Sequence, residues 1–206
     1  MDASLATGHA EGHAASHVDD DQKVRIGMFL YVVTDILFAL FLLTAYLFLR
    51  SSNTQNAWFP TGVPDLGGVQ SIALFETIAL VISGLAYLVG HLGARADNQA
   101  LLRGGIVVAA LAWLAALGIQ YYYVGHLPII TSDGAFASSY ITLSGYHMFH
   151  LLLGLPMLIG ITVRSLQGRY SAARHLGITT IGYFWYWAVI LGIIIWLLPI
   201  LLPPHL

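Results

Sequence analysis

The chain has 206 residues, 58% of them hydrophobic and only 9% charged, with a formal net charge of −2; an average soluble domain carries roughly 25% charged residues. These values exclude an ordinary water-soluble domain and mark a membrane protein. The absence of Cys excludes disulfides, thiolate zinc sites, iron–sulfur clusters and a cysteine nucleophile, and the charge balance leaves no basic footprint for nucleic acid.

Residues 1–22, MDASLATGHAEGHAASHVDDDQ, are small and polar and are expected to form a disordered tail. His9, His13 and His17 recur every four residues, a composition that also suits a weak metal-binding tract; the solvated tail is the simpler reading. The stretch has no apolar h-region, so no cleavable signal peptide is expected and the first hydrophobic span must direct insertion.

Residues 23–206 are expected to form one all-α membrane domain. Five mostly apolar spans lie near 26–49, 69–91, 103–124, 138–163 and 177–201, each long enough for a helix to cross a hydrocarbon core of ~30 Å. Backbone groups cannot stay unpaired in lipid, which favours helices over open strands. The connections, such as RSSNTQNAWFPTGVPDLGG and RSLQGRYSAARH, are polar or rich in Gly and Pro. They are too short for a second domain, and no internal repeat is visible.

Positively charged residues near span ends favour the cytoplasmic side. Lys23, Arg25, Arg95, Arg103, Arg164, Arg169 and Arg174 fall on one side of the five spans and Arg50 alone on the other. The expected orientation is therefore N-terminus in the cytoplasm and C-terminus outside.

Ionisable side chains at bilayer depth are costly and face protein or a water-filled cavity. Four stand out: Asp35, Glu76, His147 and His150. Counting ~1.5 Å per residue, Asp35 lies in the inner half of span one and Glu76 in the outer half of span two, so the two carboxyls are not expected to touch. Glu76, Gln120 and His147 fall at similar depths and are expected to share one interhelical polar layer. His150, a turn deeper, approaches the level of Asp35 and Tyr186.

The spacing His147-x-x-His150 puts two imidazoles on one helix face, which permits ligation. A bundle-held six-coordinate haem takes axial ligands from facing helices. His91, His126, His175 and His205 all fall at or beyond span ends, so no second span offers a mid-membrane His. Three readings remain: a metal site from His147, His150, Glu76 and Asp35; a small transporter using the intramembrane carboxylates; and histidines hydrogen-bonded between helices. The last is the plainest. The transporter reading is weakened because five spans do not divide into related halves.

Taken together, these stretches resemble subunit III of haem-copper terminal oxidases, in the short five-helix form of bacterial quinol and some cytochrome c oxidases. Thr34-Asp35 in span one is similar to that family's hydroxyl residue followed by an acidic one. Glu76-Thr77 with Ser83-Gly84 is similar to its second shared helix. Gly145, His147, His150 and Gly154 reproduce its Gly-x-His-x-x-His pattern with a following Gly. The chain departs from the pattern at Trp185-Tyr186-Trp187, where Tyr186 stands in a His place and Val189 in an Asp place, and at Gln120, where many members carry Glu. The accessory proteins of nitric oxide reductase are a related possibility.

The resemblance implies a non-catalytic subunit of a respiratory oxidase that holds no haem, copper or other metal itself, the redox groups belonging to partner subunits I and II. It implies a V-shaped cleft filled by phospholipid, beside which Asp35 supports sustained turnover and proton uptake by subunit I. Glu76, His147 and His150 are grouped with Asp35 in that supporting role. Arg50, Arg95 and Arg103 are candidate lipid headgroup contacts through charge-assisted hydrogen bonds. The expected location is the bacterial cytoplasmic membrane.

Overall fold

The computed structural model describes residues 3–53, 58–59 and 67–202. Five helices follow in order: α1 (Ala3–Ser51), α2 (Gly67–Arg95), α3 (Gln99–Gly125), α4 (Ala135–Leu166) and α5 (Leu176–Leu201), with a single 3-10 turn at Thr131–Asp133. Each is long and apolar enough to cross a membrane, α1 over Asp20–Ser51. No strand occurs among the described residues beyond an isolated bridge between Ser171 and Arg174.

The ends follow local chemistry. Asn98 opens α3 by accepting hydrogen bonds from the backbone N–H groups of Ala100 and Leu101, at 3.1 Å each, which satisfies donors that a helix N-terminus leaves free. Gly168 closes α4 with φ +67°. That left-handed conformation suits Gly, and it lets Arg169 N–H reach back to the Arg164 carbonyl, the usual way of ending a helix. Helix α1 starts at Ala3, within the stretch expected as a tail; that stretch is rich in Ala, the strongest helix former. The side chains of His9, His13 and His17, and His205 altogether, lie outside the described residues.

Helices α2, α3, α4 and α5 close into a ring, each packing on its two neighbours, while α1 lies outside and, among the described residues, packs on α4 and α5 and not on α2 or α3. The α2–α3 hairpin is the tightest pair. A Cβ on Gly105 would lie 2.4 Å from the Gly90 backbone nitrogen, so the two backbones meet where only Gly fits, as small residues permit in membranes. Gly104, by contrast, faces open space. Inside the ring, Trp113 and Trp185 pack with ring centroids 4.1 Å apart. Their N–H groups are not left bare: Trp113 donates to the Leu151 carbonyl at 3.0 Å and Trp185 to Ser83 Oγ at 3.0 Å, and Ser83 in turn donates to the Ala109 carbonyl.

Candidate functional site: two carboxylate–imidazole pairs on one helix

Helix α4 carries both buried histidines, and each meets a carboxylate from a different helix. His147 Nδ1 lies 3.3 Å from Glu76 Oε1 of α2. Its Nε2 lies 3.2 Å from the Ala188 carbonyl oxygen of α5; because a carbonyl only accepts, Nε2 carries a hydrogen, and the second ring nitrogen is left for Glu76. Glycine makes the space: a Cβ on Gly192 would lie 2.8 Å from His147 Nε2 and 2.6 Å from Leu80 Cδ1.

The second pair lies a turn further along α4. His150 Nδ1 donates to the Tyr146 carbonyl at 2.8 Å, and Nε2 lies 2.6 Å from Asp35 Oδ2 of α1. Asp35 also accepts from the Tyr146 hydroxyl at 2.6 Å and from Trp187 Nε1–H at 2.5 Å. The Tyr146 hydroxyl, the Trp187 indole N–H and the His150 imidazole, from α4 and α5, thus converge on one carboxyl group. The side chain is 12% exposed, so the group sits at the seam between α1 and the ring.

Asp35 and Glu76 therefore belong to separate pairs. Gln120 joins neither pair: its side-chain amide donates to the Ser144 carbonyl of α4 at 3.1 Å. Among the described residues no group of three or more His, Cys, Asp or Glu side chains is placed to hold a metal ion. Tyr186 packs edge-on against Tyr87 instead of joining the Asp35 cluster. Trp187, its neighbour, and Tyr146 are the donors that sequence reasoning missed. Tyr146 lies four residues before His150 and shares its helix face; that spacing was the available signal.

The basic end of the molecule forms a second feature. Arg25, Arg164, Arg169 and Arg174 line a cavity of about 750 Å³ with Asp21 and Tyr170. Burial pushes the Tyr170 hydroxyl above its usual range, and the neighbouring Arg164 pulls the other way. The loop bearing these groups is pinned by the α2–α3 hairpin: Gln99 donates to the Tyr170 carbonyl at 2.8 Å, and Asp97 accepts from Ala172 N–H at 3.3 Å. Arg95 closes α2, and Arg103 lies over Gly168; neither lines the cavity. Arg50 stands at the other end of α1, where its buried Nη1 has no hydrogen-bond partner among the described residues.

Comparison with known proteins decides what this constellation belongs to. Residues 4–202 match the family described as cytochrome c oxidase subunit III. The chain belongs to the cytochrome c oxidase subunit III family. A cytochrome c oxidase subunit 3 from Synechocystis sp. is 30% identical, over 98% of this chain and 84% of its own length. Subunits of the same name from Petromyzon marinus and Damaliscus lunatus are 24% and 26% identical, over 90% and 85% of this chain and 71% and 67% of their own lengths.

Membership makes this a multi-pass membrane protein and a non-catalytic subunit of a multi-subunit oxidase; the subunit III family lacks the catalytic centres. The readings as a nitric oxide reductase accessory protein or a small transporter gain no support from these relatives.

Proposed function

We propose that this subunit III flanks the haem- and copper-bearing subunits I and II in a bacterial cytoplasmic membrane, N-terminus inside, and that it holds phospholipid there. In this role it sustains proton-coupled oxygen reduction by its partner while taking no part in electron transfer. The names of its relatives favour cytochrome c over quinol as the donor to the complex.

The observation that carries the lipid reading is the arginine-lined cavity. Four guanidinium groups gather at one end of the bundle, where a phosphate diester would accept bidentate, charge-assisted hydrogen bonds. The surfaces above it are apolar, with Phe29, Leu30 and Leu37 of α1 exposed, as acyl chains require. Asp35, His150, Glu76 and His147 then hold the helices that frame this lipid. Proton-uptake support is proposed for Asp35, which stands at the α1 seam.

Copurification tests the assignment. The tagged chain should bring down a haem-bearing partner together with phospholipid, and all Soret absorption should follow the partner. A homo-oligomer free of such a partner, or one haem per isolated chain lost in His147→Ala, would overturn it.

A further inference from the structure

Helix α1 is attached differently from the others. Only 6% of its most apolar window is buried, against 33–44% for α2 to α5. Its two fully buried residues with described side chains, Ala39 and Tyr46, continue the stripe that begins at Asp35. The side-chain hydrogen bonds that tie α1 to α4 and α5 converge on Asp35, from Tyr146, His150 and Trp187. The hydroxyls of Thr34, Thr44 and Ser51 turn back to carbonyls of α1 itself.

Grooves flank the attachment on both sides. Toward the Ser51 end, Leu42, Ala45 and Leu49 face Ser138, Ser139 and Thr142 of α4 across a groove of about 220 Å³. Toward the other end, Asp21 and Arg25 of α1 form one wall of the arginine-lined cavity.

We propose that α1 is a strap and that Asp35, clasped by His150, Tyr146 and Trp187, is its latch. Lipid tails are as apolar as Leu, so exchanging α1's apolar contacts for lipid changes little, and interhelical polar bonds and packing decide docking. With the latch made, α1 is fixed on both α4 and α5. With the latch lost, α1 swings away from the ring and the two grooves join into one opening along the seam, wide enough for an acyl chain to enter. This rests on the lipid-holding reading above and adds what controls access to it.

The absence of Cys allows a clean test on the full chain in lipid nanodiscs. Spin labels at Val24→Cys on α1 and Ala100→Cys on α3 report the strap by pulsed electron resonance; labels at Ala100→Cys and Phe149→Cys report the ring. The parent should give a narrow strap distance. Asp35→Ala should broaden it, and Asp35→Asn, whose amide oxygen still accepts but without charge assistance, should fall between. The ring distance should stay fixed throughout. A strap distance unchanged in Asp35→Ala, or a ring distance that broadens with it, would overturn the latch. Phospholipid counted in Arg164→Gln/Arg169→Gln reports separately on the lipid reading; full retention there would remove that reading whatever the spin distances show.

Discussion

At the scale of single residues, two imidazoles have to be satisfied in a low-dielectric interior. An unpaired buried polar group costs about 1–3 kcal/mol by mutational data, so each carboxylate is expected to matter to stability without defining the fold. Glu76→Gln replaces a carboxylate that meets His147 at 3.3 Å and should lower stability by about 0.6–2 kcal/mol, the range for interhelical hydrogen bonds in membranes. Reversible unfolding in mixed detergent micelles would measure this. Gly192→Ala should cost about 1–3 kcal/mol through overpacking, since its Cβ would collide with His147 and Leu80. Gly104→Ala, which meets nothing within 4 Å, should be neutral or stabilise α3 slightly. Equal effects at the two glycines would contradict the packing described. The carboxylates and histidines were legible in the sequence because ionisable groups in an apolar span are conspicuous. Tyr146 and Trp187 were not, because an aromatic residue in a membrane helix looks the same whether its polar atom meets lipid headgroups, a backbone carbonyl or a carboxylate.

At the scale of helices, the five spans were readable from length and hydropathy alone, and four of them extend only a few residues beyond their expected limits. The exception is the start of α1: a polar, Ala-rich segment lacks the apolar signal that marks a span, yet its backbone has good helix propensity. Which helices touch was not readable. Helix rotation about its axis sets that, and the apolar residues of a membrane span surround it on all sides, so the pattern does not say which face is inward. The α2–α3 hairpin is the element most dependent on local chemistry, because a short turn joins two closely packed backbones. Asn98→Ala removes the cap of α3 and should destabilise by about 1 kcal/mol. Amide exchange over Gln99–Arg103 should rise while that over α5 stays constant.

At the scale of the whole molecule, the seven basic residues that the sequence places on one side of the spans do gather at one end of the bundle, where four of them line the same cavity. The proposed orientation puts that end in the cytoplasm. Single cysteines test it directly: Ser171→Cys should react with a membrane-impermeant maleimide only from the cytoplasmic side, and Ser52→Cys only from outside. The reverse pattern would invert the topology and move the arginine cavity to the opposite lipid leaflet.

In the proposed role this chain supports a catalytic neighbour and performs no redox chemistry, and Asp35 acts on durability. The direct measurement is oxygen consumption and proton release by the whole complex in liposomes, followed over many turnovers, with Asp35→Asn beside the parent. Normal assembly is expected, with an initial rate close to the parent's and then faster inactivation or a declining proton yield. An immediate and complete loss of electron transfer in a fully assembled Asp35→Asn complex would contradict it.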